Sequence, residues 1–80
     1  MYQRIRDLRE DADKKQSDLA EYLHCTQVSY SHYETGKRDI TSDVLIKLAV
    51  YHNTSIDYLL GVTDVKDAYP RSKTLGDFLK

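Results

Sequence analysis

The chain of 80 residues and 9.3 kDa contains 40% apolar and 31% charged residues, which predicts one small globular domain and excludes a disordered tail. Its formal net charge of −1 argues against a generic polyanion binder, although charge distribution decides whether a local basic surface exists. The apolar runs are too short for a membrane span or a secretory signal, and the single cysteine rules out an internal disulfide and favours the cytoplasm.

The first two predicted helices follow from apolar residues at helical spacing. A helix over residues 2–12 is indicated by one stripe, formed by Tyr2, Ile5, Leu8 and Ala12. A second helix is predicted from Gln16–Ser17 to Leu23. Ser17 is its expected N-cap, and Asp18 is well placed beside the positive end of the helix dipole.

The third predicted helix has two chemically different faces. It begins after Thr26, a capping residue, and runs to about Thr35, where Gly36 can adopt the left-handed conformation that ends many helices. Winding it at about 100° per residue places Tyr30 and Tyr33 on the side towards a core. The opposite face carries a set of smaller and polar side chains, namely Gln27, Val28, Ser31 and His32.

That outward face has the chemistry of a DNA-reading surface. Glutamine can bond bidentately to adenine, serine and histidine can reach base acceptors, and valine can cover a thymine methyl group. The alternative is an ordinary solvated face, which suits any single polar residue equally well. The winding alone leaves both interpretations open.

The last two predicted helices are also short. Thr41 is the expected cap of the fourth, and Asn53 is expected in a left-handed conformation after it. The stripe of this helix consists of Val44, Leu45, Leu48 and Ala49. Ser55 is the expected cap of a fifth helix through Leu60, closed by Gly61. No window shows strand-like alternation, so the sequence predicts an all-α, compact five-helix bundle.

The spacing of the second and third helices is typical of a helix-turn-helix. Helices over 16–23 and 26–35 are joined by a tight turn. The chain resembles the Cro/C1-type (XRE-family) helix-turn-helix domain in the runs QSDLAEYL at 16–23, YETGKR at 33–38 and SIDYLLG at 55–61. The similarity covers roughly residues 3–63, with a short C-terminal extension beyond it.

The resemblance implies a lambda-repressor-like bundle that binds operator DNA, usually as a homodimer, with the third helix in the major groove. The chain would then be a sequence-specific transcriptional regulator, and more specifically a repressor. Base contacts are implied for Gln27, Val28, Ser31 and His32. Contacts with the DNA backbone are expected from Gln16, Lys15, Thr26, Thr35, Lys37 and Arg38. Glu34 is expected to be a structural partner inside the bundle, and Gln16 to brace Gln27.

Two residues in the turn depart from the family pattern. His24 stands where the family usually has glycine, and a non-glycine residue with positive φ is uncommon. His24 is therefore expected either to strain this turn or to add a phosphate contact. Cys25 stands where valine is common, which predicts a small buried side chain and no redox function.

The charges are segregated along the chain. Residues 14–16 and 24–38 together carry four basic residues and one acidic residue, whereas residues 39–64 carry one basic and four acidic residues. The positive excess therefore lies beside the third helix. Because a few phosphate contacts per subunit give modest affinity, a homodimer that reads two half-sites is expected on DNA.

Other function classes lack support in the sequence. It contains no Gly-rich phosphate loop, no His-Glu-x-x-His motif and no paired cysteines, so neither an enzyme, a cofactor nor a metal is expected. The second hypothesis is a protein-interaction module with a protein partner, such as an antitoxin or anti-repressor, which the near-neutral charge and the apolar tail favour modestly.

The expected organisation is a DNA-binding domain over residues 1–63 and an extension over residues 64–80. The apolar residues of the extension are Leu75, Phe78 and Leu79. They either belong to a frayed terminus or form a final helical turn from Thr74 that packs on the domain or on a second subunit.

Overall fold

A computed structural model describes residues 3–68, which form five α-helices and no strand. The helices are α1 (Gln3–Asp11), α2 (Gln16–Leu23), α3 (Gln27–Thr35), α4 (Ser42–Tyr51) and α5 (Ile56–Leu60). The predicted all-α five-helix bundle is confirmed. Tyr2 lies outside the described residues, and α1 ends at Asp11, one residue before its predicted end.

The core receives side chains from every helix. Its buried members are Ile5, Leu8, Leu19, Ala20, Tyr30, Tyr33, Leu48, Ala49 and Leu59. The largest of the fully buried side chains is Tyr30, which is 0% exposed, and α3 packs against both α2 and α1. Fully burying one large apolar side chain stabilises a fold by about 1.5–3 kcal/mol, so the tyrosine side of α3 anchors that helix to the bundle.

The starts of α3 and α5 have the predicted caps. Thr26 Oγ1 accepts a hydrogen bond from the backbone N–H of Ser29 at 3.1 Å, and Ser55 Oγ accepts one from Tyr58 at 3.0 Å. Each hydroxyl satisfies an N–H group that has no partner within the helix. The capping residue Thr26 therefore determines where α3 begins.

The predicted cap of α2 is wrong. The helix begins at Gln16, so Ser17 lies inside the first turn and Lys15 holds the cap position. Asp18 reaches back instead, and its carboxylate accepts a hydrogen bond from the backbone N–H of Lys15 at 2.9 Å. At the start of α4, Thr41 holds the predicted cap position, but its hydroxyl donates to Asp43 rather than accepting from the helix backbone.

A left-handed residue follows the end of each helix within two positions. These residues are Asp13 (φ 56°), His24 (φ 57°), Gly36 (φ 81°), Asn53 (φ 51°) and Gly61 (φ 81°). The predicted conformations of Gly36, Asn53 and Gly61 are confirmed. His24 adopts the glycine-like conformation that its place in the turn requires.

Replacing His24 with glycine should stabilise the fold by about 0.5–1 kcal/mol. The left-handed conformation costs most L-residues roughly 1–2 kcal/mol, and the extra backbone entropy of glycine cancels about half of the gain. His24→Ala is the matched control, since it removes the exposed imidazole and keeps the Cβ atom. Urea unfolding of the two variants checks this prediction, and equal stabilities would show that backbone strain is absent from the turn.

The chain after α5 is tied back to α1 by Arg4. Its guanidinium donates to the carbonyl oxygens of Tyr58, at 2.9 Å, and Thr63, and to the carboxylate of Asp64 at 2.6 Å. It also lies 4.1 Å from the centre of the Tyr58 ring. The described start of the predicted extension thus lies against the domain. A boundary at residue 63 stays a prediction, and Thr74, Leu75, Phe78 and Leu79 lie outside the described residues.

Candidate nucleic-acid interface

The two faces of α3 have the predicted orientation. Tyr30 and Tyr33 are buried, whereas the side chain of Val28 is 65% exposed. Gln27 is also exposed, and the remaining two members of the outward face, Ser31 and His32, are half-buried. The four side chains therefore share an accessible surface on a helix whose other side is fixed in the core. Their contacts with bases stay a prediction.

A buried ion pair joins α1 to α3. Arg9 Nε donates to Glu34 Oε2 at 2.6 Å, and Arg9 Nη2 donates to Oε1 at 3.2 Å, so the contact is bidentate. Glu34 is only 3% exposed, and Oε1 also accepts from the side-chain amide of Gln16 at 3.2 Å. The predicted structural function of Glu34 is confirmed. A contact between Gln16 and Gln27 stays a prediction.

The electrostatics of this pair keep both groups charged. Burial by itself would raise the pKa of Glu34, but hydrogen bonds from Arg9 and Gln16 outweigh it and hold that pKa below its usual value. The hydrogen bond to Glu34 in turn raises the pKa of Arg9. Since burial also raises the pKa of Tyr30, that hydroxyl stays neutral beside the pair. The contact is thus a permanent link between α1, the start of α2 and α3.

The candidate backbone contacts lie at helix ends. Lys15 precedes α2 and Gln16 begins it, and Thr26 precedes α3. The remaining candidates, at or after the end of α3, are Thr35, Lys37 and Arg38. All but the half-buried Gln16 are exposed. The fold therefore places candidate phosphate ligands at the start of α2 and at both ends of α3.

Four of these side chains already make contacts within the described chain, and one of them is Gln16, whose amide donates to Glu34. The hydroxyl of Thr26 caps α3, and that of Thr35 donates to the carbonyl oxygen of Ser31 at 3.1 Å. Arg38 Nη1 donates to Ser29 Oγ at 3.4 Å, and its guanidinium lies 5.6 Å from the ring centre of Tyr33. Arg38 therefore lies along the flank of α3 that is turned away from Ser31.

The sequence reasoning missed Arg9 as a partner of Glu34. Arg9 follows Leu8 and lies four residues after Ile5, so it falls at the edge of the core-facing stripe of α1. A charge at such a position needs a buried counter-charge, and Glu34 lies next to the buried Tyr33 on α3. Two opposite charges, one beside the buried stripe of α1 and one beside that of α3, are the sequence signal that could predict this ion pair.

Metal-binding clusters and membrane-spanning helices are absent from the described part of the chain. Residues 3–68 contain no group of His, Cys, Asp and Glu side chains that could hold a metal ion. No helix among them has the length and apolar character needed to cross a membrane. Cys25 packs against the core as predicted, but its side chain is half-buried and not fully buried.

Comparison with known proteins supports the presence of a helix-turn-helix. The family described as helix-turn-helix matches residues 5–59. The chain is 36% identical over 78 residues to the uncharacterized HTH-type transcriptional regulator YobD of Bacillus subtilis. This alignment covers 98% of the present chain and 70% of YobD. The chain is 39% identical over 62 residues to the HTH-type transcriptional regulator ImmR of the same organism, with 78% of this chain covered.

The chain spans about half the length of ImmR, since the match covers 49% of that protein. No solved structure gives a significant match. The family match includes all of α2, the turn at His24 and all of α3, and it covers most of the three runs that carry the resemblance in the sequence. The chain therefore belongs to the helix-turn-helix family, of the Cro/C1 (XRE) type.

Proposed function

We propose that the chain is a sequence-specific DNA-binding transcriptional regulator, acting as a repressor, that reads the major groove with α3. The observation that carries this proposal is the accessible face of α3, formed by Gln27, Val28, Ser31 and His32. Both relatives are named transcriptional regulators, which supports the regulatory function and does not favour the antitoxin or anti-repressor alternative.

The chemistry of the face explains how it would discriminate bases. Gln27 is the first residue of α3 and is exposed, so its amide can bond to the N6 and N7 atoms of adenine. Val28, one residue later, offers a methyl surface to thymine. His32 lies one helical turn further along and reaches the next base pairs. Since α3 is held by the Arg9–Glu34 pair, these side chains are presented by a rigid element.

The candidate ligands of the DNA backbone would determine the position of the domain along the duplex and its affinity for DNA. Lys15 and Gln16 contact one phosphate group at the start of α2, and Thr26 contacts the backbone at the start of α3. Thr35, Lys37 and Arg38 contact the backbone beyond the end of α3. Such contacts supply salt-dependent affinity without sequence information. One subunit makes few of them, so we propose a homodimer on DNA, located in the cytoplasm and without catalytic function.

Selection of duplexes from a randomised pool tests this function directly. The wild-type chain should enrich one sequence with two related half-sites whose centres are about 10 base pairs apart, as a two-fold dimer requires. Its affinity for that duplex should fall linearly with the logarithm of salt concentration. Solution mass measured with and without the duplex gives the stoichiometry. A pool that remains unenriched, with equal affinity for all duplexes, would refute sequence-specific binding.

A further inference from the structure

A cavity of about 230 Å³ opens between α1, the start of α2 and the end of α3. Its lining residues are Gln3, Arg6, Arg9, Gln16, Glu34 and Thr35. Gln16 and Thr35 are candidate backbone ligands, so the cavity lies within the proposed interface. The two arginines come from α1, which the sequence reasoning did not connect with DNA.

The two arginines differ in how many of their nitrogen atoms already donate a hydrogen bond. Arg9 uses Nε and Nη2 on Glu34, and its Nη1 donates to the carbonyl oxygen of Lys14 at 2.8 Å. Arg6 uses Nε on Glu10, at 3.0 Å. Within residues 3–68 neither of its Nη atoms makes a hydrogen bond, and its side chain is 57% exposed. Arg6 is therefore the cation of this cavity that has both of its Nη groups available to a further anionic ligand.

We propose that the cavity holds a phosphate group of the DNA backbone, that Arg6 donates to it through its Nη atoms, and that Glu10 weakens the contact. This inference rests on the proposed DNA-binding function. A guanidinium group can bind phosphate through two parallel hydrogen bonds. The start of α2 adds positive potential at the same place. The carboxylate of Glu10 competes for Arg6 and repels the phosphate.

Arg6→Ala should weaken binding to the selected duplex and to a scrambled duplex of equal length by the same factor. Loss of one phosphate contact lowers the slope of log affinity against log salt by about 0.9 per subunit, which corresponds to about tenfold weaker binding at 0.1 M salt. Arg6→Lys should retain most of the slope, because the charge remains. Fluorescence anisotropy across a salt series measures both quantities, and thermal unfolding checks that each variant is folded.

Two further variants make the test specific to this cavity. Lys66→Ala removes one positive charge from a different cavity, and it should change the salt slope less than Arg6→Ala. The single variant Glu10→Gln should strengthen binding to the duplex several-fold. The same substitution should have a smaller effect on binding when it is combined with Arg6→Ala. Equal slopes for Arg6→Ala and Lys66→Ala would overturn the proposed contact while leaving the proposed function intact. Failure of the wild-type chain to bind any duplex would overturn both.

Discussion

Replacing Arg9 with methionine should destabilise the fold by about 3–5 kcal/mol at neutral pH. The substitution leaves the carboxylate of Glu34 buried without its cation, which is the costly outcome for a buried pair. The side chain of Glu34 is only 2% exposed and that of Arg9 12%, so solvent compensates little for the loss. Small domains are stable by about 5–15 kcal/mol, so this loss would remove a large part of the free energy of unfolding. Urea unfolding of the variant and the wild type measures the difference.

The matched control is the double variant Arg9→Met with Glu34→Leu. It removes both charges and fills the space with apolar groups, an exchange that is often neutral for buried pairs. It should therefore be far more stable than Arg9→Met alone. A double variant as unstable as the single one would assign the loss to packing around α1 rather than to the unpaired carboxylate.

The pH dependence provides a second readout of the same pair. The folded-state pKa of Glu34 lies below its unfolded value, so the pair contributes its full stability above the unfolded value and loses it as pH falls through the folded one. In Arg9→Met the buried carboxylate has no cation and its pKa should rise. The stability difference between wild type and variant should therefore shrink as pH is lowered from 7 to 4. A constant difference would contradict this origin of the loss.

The local elements of the fold could be predicted because their determinants are close in sequence. Thr26 and Gly36 define both ends of α3 through contacts within a few residues. At the start of α2 the prediction of Ser17 as the cap is wrong, because the hydrogen bond from the backbone N–H of Lys15 to Asp18 places Lys15 at the cap position. Such a choice depends on small energy differences that propensity alone does not resolve.

The long-range contacts of the site could not be predicted in the same way. Winding α3 separates Tyr30 from Val28 without any knowledge of the other helices, because helix geometry fixes that separation. Which residues of α1 reach the end of α3 depends on how the two helices cross. The Arg9–Glu34 pair joins residues 25 positions apart, and the cavity beside it places Arg6 near Thr35. Packing of the whole bundle determines both neighbourhoods.

Gln27→Ala should lower affinity for the selected duplex by about 1–3 kcal/mol per half-site, since one bidentate base contact is lost. The loss should be confined to one base pair of each half-site, where all four bases become nearly equivalent. Gln27 is exposed at the start of α3, so its removal should leave the unfolding free energy almost unchanged. Binding to duplexes that differ at single base pairs measures this change.

Lys37→Ala is the control that distinguishes reading from anchoring. Lys37 is exposed just after α3, and loss of a phosphate contact there should weaken binding equally for all duplexes and reduce the salt slope. Gln27→Ala should leave that slope unchanged, because it removes no charge. His32→Ala should relax specificity at base pairs other than those affected by Gln27→Ala, since the two residues lie on successive turns. Full sequence preference in both Gln27→Ala and His32→Ala would mean that another surface of the bundle reads the bases.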